Sequence, residues 1–221
     1  CFCIIDIEKR QQTNDGRRHD KRMAGTKQWR AADGRMQPGF QTAGFTLKQV
    51  GKLQALGAQT LYFEHEKSGA SLFYIRNKDT NRGFSISYRT PHVGETDTNH
   101  VFEHSVLASS DKYPSKDIFF DLCSKTYHTF VNAFTYIPFT AYPVCSQSEE
   151  QLLKMADVYL SCMKAPGIRR ERRFFDREAV RYELRDRESP ITLAGTVYSE
   201  DFGMLNDTDN EALRNVLRAL Y

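Results

Sequence analysis

At 221 residues and 40% apolar content, the chain has room for one large or two small domains with a real core. No apolar run approaches the ~18 residues of a membrane-spanning helix, and nothing near the start reads as a signal peptide, because Cys1–Ile7 is followed by charge. The net charge of +3 belongs to residues 1–36, which hold nine Lys/Arg against five Asp/Glu; the other 22 and 23 nearly cancel, leaving the body without the basic face that nucleic acid requires.

Residues 1–38 are polar, mixed in charge and aperiodic, which predicts a disordered leader ahead of one domain over 39–221. Met36 or Met23 reads as a start of the ordered polypeptide. A basic targeting peptide is the competing reading, opposed by the five acidic residues. Regularity begins at Phe45. Residues 59–66, 70–77 and 83–90 alternate as strands, separated by Lys67-Ser68-Gly69 and by Lys78-Asp79-Thr80-Asn81. Pro91 breaks the sheet, and Asp97 or Thr98 can cap a helix whose inward positions are Val101, Phe102, Val106 and Leu107. A second helix is expected over 116–127, with Ile118, Phe119 and Leu122 inward. Two β runs follow, over 129–135 and 139–145, with Pro143 expected at an edge or strand end because it has no N–H to donate.

Ser146-Gln147-Ser148-Glu149 reads as a capping box for a helix to about Met163. After Pro166-Gly167, the basic run Arg169–Arg173 reads as a solvated loop. Val180, Tyr182 and Leu184 alternate as a strand, Glu188-Ser189-Pro190 turns, and residues 195–203 and 209–221 look helical. The five cysteines (Cys1, Cys3, Cys123, Cys145, Cys162) are odd in number and lack a C-x-x-C spacing. They read as reduced thiols in a reducing compartment, the cytoplasm first, with an organelle as the alternative.

Chemistry concentrates at His100-Val101-Phe102-Glu103-His104. Side chains at i and i+4 stack on one helix face, so His100 and His104 offer two imidazole ligands, with the Glu103 carboxylate beside them. Two neutral nitrogens plus a base that takes a proton from water are parts of a zinc hydrolase, in the H-x-x-E-H order. A catalytic zinc needs a third protein ligand. Glu178, Glu183, Glu188, Glu200, Asp201, His128 and the cysteines all qualify, and spacing does not choose among them. Glu200 is attractive because a carboxylate in an otherwise apolar helix start needs a reason to be there.

Further motifs recur in order around that helix: Lys112-Tyr113-Pro114, Asn132-Ala133-Phe134-Thr135, Thr140-Ala141-Tyr142-Pro143, then Ser189-Pro190-Ile191-Thr192 and Gly195-Thr196-Val197-Tyr198-Ser199-Glu200. In this order they resemble the pitrilysin/insulinase-type metallopeptidases, and most of all their presequence-protease branch. The likeness spans about residues 60–215. The separation of 96 residues between His104 and Glu200 suits that branch.

The resemblance implies an α+β domain, an antiparallel-rich sheet covered by helices. It implies one zinc held by His100, His104 and Glu200, with Glu103 as general base. It also implies an unfolded peptide added as a strand along Asn132 and Ala133; ordinary edge-strand packing is the competing reading for Ala133, Phe134 and Thr135. Asp201 stands where the family has Met. In the family two homologous halves close around substrate, and the second supplies an Arg and a Tyr that stabilise the oxyanion. This chain stops at Tyr221, inside the first domain, so activity is expected only with the missing C-terminal half. A partner subunit of the same fold without catalysis is the rival reading, and no nucleic-acid or membrane partner is expected.

Overall fold

The alternating stretches assemble into one nine-stranded sheet with helices packed against it, in a computed structural model that describes residues 2–5, 36–92 and 96–220. The strands are β1 (Phe2–Ile5), β2 (Gln41–Thr42), β3 (Phe45–Leu53), β4 (Ala58–His65), β5 (Ser71–Arg76), β6 (Arg82–Arg89), β7 (Phe130–Val131), β8 (Phe134–Thr135) and β9 (Phe139–Ser146). A separate hairpin joins β10 (Arg181–Glu183) to β11 (Thr192–Ala194). The helices are α1 (Thr98–Val106), α2 (Ile118–Lys125), α3 (Glu149–Lys164), α4 (Arg173–Glu178), α5 (Thr196–Leu205) and α6 (Thr208–Leu220). The sheet runs β2-β3-β4-β5-β1-β6-β9-β7, with β8 also on β9, and every pairing except β1 with β5 is antiparallel. The α+β expectation therefore holds.

The expected disordered leader contains one described segment, residues 2–5. Phe2–Ile5 forms β1 between β5 and β6, and Phe-Cys-Ile-Ile is a short apolar run with the β-branched content that suits a strand. The rest of that expectation, over residues 6–35, lies outside the described residues.

Two clusters of side chains hold the domain. The larger packs Phe84, Tyr142 and Val144 of the sheet against Val106 of α1, Leu122 of α2, and Leu152, Met155 and Tyr159 of α3. The smaller is Leu47, Leu61 and Phe63 at the far end of the sheet. Helix α3 begins two residues later than its sequence suggested. Ser148, not Ser146, is the N-cap and accepts from Gln151 N–H at 3.3 Å, while the Ser146 hydroxyl donates to the Tyr127 carbonyl at 2.6 Å. On α1, Phe102 is 50% exposed instead of inward, because Glu103 takes the buried position facing the sheet.

Pro143 lies inside β9, opposite Ser85 of β6, rather than at a strand end. The cost of its missing N–H falls on the neighbouring edge. Val131 pairs with Val144 and Phe134 with Ala141, so the register across Asn132-Ala133 is continuous, yet the ladder is interrupted there. Asn132 N–H donates to the Pro143 carbonyl at 3.2 Å, and proline cannot return the bond. The fully buried Tyr159 supplies it instead, its hydroxyl donating to the Asn132 carbonyl at 3.1 Å. Tyr159→Phe therefore leaves that carbonyl unpaired and is expected to cost about 1–3 kcal/mol, read as a lowered midpoint in urea unfolding. An unchanged midpoint contradicts this account of the edge.

Candidate metal and active site

Helix α1 presents His100 and His104 one turn apart, with ring centroids 4.9 Å from each other. Their Nε2 atoms point to one place. Helix α5 brings Glu200 there, its Oε2 lying 3.3 Å from His100 Nε2 and 3.6 Å from His104 Nε2. The three donor atoms fall within 4.8 Å of one another. Tetrahedral zinc with bonds of ~2.0–2.1 Å needs donors about 3.4 Å apart, so these residues fit the ion the motif implies.

Each imidazole is oriented from behind. Asp97 is the N-cap residue of α1, but its side chain does not cap the helix; its Oδ2 lies 2.9 Å from His100 Nδ1. Glu178, at the end of α4 and only 4% exposed, holds His104 Nδ1 at 3.3 Å. Such partners fix the tautomer and leave Nε2 free for a metal. Arg177 in turn pairs with Glu178 and with Asp117 (3.1 Å), and donates to the Lys116 carbonyl at 2.7 Å, tying α4 to the start of α2. Burial works against the Glu178 charge, but hydrogen bonds from His104, Arg177 and Thr196 outweigh it and hold the carboxyl at about 2. The bond to Glu178, with Glu200 and Glu103 adding to it, raises His104 above the usual imidazole value.

Glu103 is buried beside the two histidines and accepts a 2.6 Å hydrogen bond from the Thr135 hydroxyl on β8. Burial raises its pKa, with Thr135 and the two imidazoles opposing. A shift in that direction is the one by which burial tunes a carboxylate toward general-base work. The site opens into a cleft of about 550 Å³, walled on one side by Leu107, Phe119 and Phe120 and on the other by Asn132, Ala133 and Phe134. The second wall is an edge of the sheet, since among the described residues β7 and β8 pair only with β9.

No protein-family profile matches the sequence. Individual relatives do. The chain is 36% identical over 163 residues to the chloroplastic/mitochondrial presequence protease 1 of Arabidopsis thaliana, covering 74% of this chain and 15% of that protein. It is 34% identical over 180 residues to the mitochondrial presequence protease of Xenopus laevis, covering 80% and 17%. The chain belongs to the presequence-protease branch of the pitrilysin/insulinase-type metallopeptidases.

Protein HypA of Clostridium perfringens is 35% identical over 179 residues, 81% of this chain and 18% of that protein. The chain thus spans less than a fifth of the length of these relatives. A solved structure of pitrilysin aligns with 57% of this chain and 14% of its own length, at 16% identity and a TM-score of 0.49.

Within this metallopeptidase domain the acidic residues named from the sequence occupy different places. Glu200 joins the histidines; Glu178 stands behind one of them; Glu183 pairs with Arg181 at 3.1 Å and Glu188 lies in an exposed turn. His128 contacts the Thr126 hydroxyl at 3.1 Å, and Cys123, Cys145 and Cys162 are free thiols outside the donor cluster. Asp201, in place of the family's Met, reaches within 3.8 Å of His100 Nδ1, on the side already held by Asp97. Asp97 and Glu178 as orienting groups had one sequence signal between them: Asp97 sits three residues before His100, where i,i+3 geometry permits contact.

Proposed function

We propose that this domain supplies the metal-binding and proton-transfer half of a zinc-dependent endopeptidase acting on unfolded peptides. The observation that carries the reading is the convergence of His100 Nε2, His104 Nε2 and Glu200 Oε2 at zinc spacing, with the buried Glu103 carboxylate beside them and a sheet edge alongside. His100, His104 and Glu200 would hold the zinc, which would supply Lewis-acid polarisation of water and of the scissile carbonyl. Glu103 takes the proton from water and returns it to the leaving amine, and the Thr135 hydroxyl fixes which carboxylate oxygen is engaged. A peptide aligned along Asn132 and Ala133 gains its main-chain hydrogen bonds at Ala133, by displacing the Asn132 Oδ1 that accepts from its N–H at 2.9 Å, and lays an apolar side chain against Leu107, Phe119 and Phe120.

The domain acts within a longer polypeptide, as the length of its relatives supports. Among the described residues no helix is long and apolar enough to cross a membrane. Free thiols at Cys123, Cys145 and Cys162 suit a reducing compartment, the cytoplasm or an organelle matrix.

Metal analysis tests this directly. Purified residues 1–221 are expected to carry about one zinc per chain, yet to cleave a fluorogenic peptide at least ~10²–10³-fold more slowly than the longer polypeptide, the scale of one absent oxyanion donor. A folded domain that takes up no zinc supports instead a partner subunit without catalysis. Full turnover by residues 1–221 alone removes the need for a second half.

A further inference from the structure

The segment between Glu178 and Glu200 is a hairpin with one wholly apolar side. The register pairs Tyr182 with Leu193, and strand alternation puts Val180 and Leu184 on the same face, with Ile191 across from Leu184. All five are solvent-exposed: Val180 49%, Tyr182 82%, Leu184 53%, Ile191 68% and Leu193 46%. The opposite face is polar, carrying Thr192 and the Arg181–Glu183 pair at 3.1 Å. An isolated two-stranded hairpin is marginal in water, and an amphipathic one is built to be covered.

Its root is clamped to the active site. A Cβ on Gly195 would lie 1.9 Å from the Ala179 carbonyl oxygen, so the two strands meet in close contact there. Glu178 directly precedes that contact and Thr196, which bonds Glu178, directly follows it at the start of α5. Helix α5, which carries Glu200, is itself lightly held, with Val197 buried but Phe202 and Met204 58% and 49% exposed.

We propose that the apolar hairpin face is a docking surface for polypeptide of the same protein outside residues 1–221, and that docking fixes Glu200 relative to the His104–Glu178 pair. This rests on the reading of the chain as one part of a longer peptidase. The occupant follows from size. A stable interface between separate molecules needs about 800 Å² from each partner, more than five side chains offer, whereas a covalently tethered partner acts at high effective concentration and can use a small patch. Relatives more than five times the length of the matched segment provide such a partner.

Trypsin reads the hairpin directly, because Arg185 and Arg187 lie exposed at its tip. Residues 1–221 are expected to be cut there readily, and the longer polypeptide about ten-fold or more slowly. Tyr182→Ser with Leu193→Ser restores cutting in the longer polypeptide and weakens its zinc affinity by about ten-fold or more, with neither change in residues 1–221. Thr192→Ser, on the polar face and keeping the hydroxyl that donates to the Glu183 carbonyl, alters nothing. Equal cutting of the two wild-type polypeptides overturns the proposal, as does protection that survives the double substitution. Protection of residues 1–221 that grows with protein concentration assigns the face to a second copy and likewise overturns it. Zinc content is read separately: a protected hairpin in a protein that binds no zinc sinks the peptidase reading and leaves the docking surface standing.

Discussion

Replacing Glu103 by Gln is expected to lower peptide turnover by the longer polypeptide by about 10²–10⁴-fold, the contribution of a positioned general base, while zinc content stays at the wild-type level. The cleft leaves no substitute. Asp117 is bound by Arg177, Glu178 is engaged by His104 and Arg177, and Glu200 is committed to the donor cluster. Gln keeps the shape and can still accept the Thr135 hydrogen bond, so local packing is preserved. Turnover within a few-fold of wild type would falsify the role given to Glu103. Loss of zinc along with activity would instead show that residue to be part of the metal's support.

The second large effect is expected at Glu178→Gln, which should weaken zinc binding by about 10–100-fold near neutral pH with the fold intact. The carboxylate makes His104 a better donor, and it also raises the pKa of that imidazole, so protons compete with the metal. These effects have opposite signs across pH. Removing the charge lowers the His104 pKa, which eases proton competition below the raised value, so the affinity deficit should shrink as pH falls. Zinc titrations at several pH values against a competing chelator test this; a deficit constant with pH refutes the coupling.

Stability of the metal-free protein follows the same pair. Glu178, depressed to about 2, contributes stability that is present above the ordinary carboxylate range and is lost as pH falls toward that value. His104, raised, contributes stability that is full below the ordinary imidazole value and is lost as pH rises through the raised one. Glu178→Gln should therefore flatten the pH profile of metal-free unfolding between those limits.

Much of the fold was legible because it rests on local pattern. The alternation of residues 59–66 and 83–90 became β4 and β6, and the 3.6-residue period after Ser148 became α3. Errors arose where a neighbour overrode the local rule. Pro143 sits within a strand because Tyr159, from the helix that follows it, repairs the lost bond. Asp97 could cap α1 but is taken by His100. Val180, Tyr182 and Leu184 do alternate as a strand, yet they meet no core among the described residues, since periodicity reports which residues share a face and not what lies opposite.

The site divides in the same way. The placement of His100, Glu103 and His104 on one helix was determined by the sequence alone, because i, i+3 and i+4 neighbours are set by helix geometry whatever the surroundings. The third donor was not. Glu178, Glu183, Glu188, Glu200 and Asp201 are equivalent as carboxylates in a string of letters. The tertiary structure separates them by where α4 and α5 pack against α1: Glu200 reaches both Nε2 atoms, Glu178 stands behind His104, and Asp201 comes up beside Asp97. Contacts between residues nearly a hundred positions apart depend on the packing of whole elements, and local sequence carries no record of that distance.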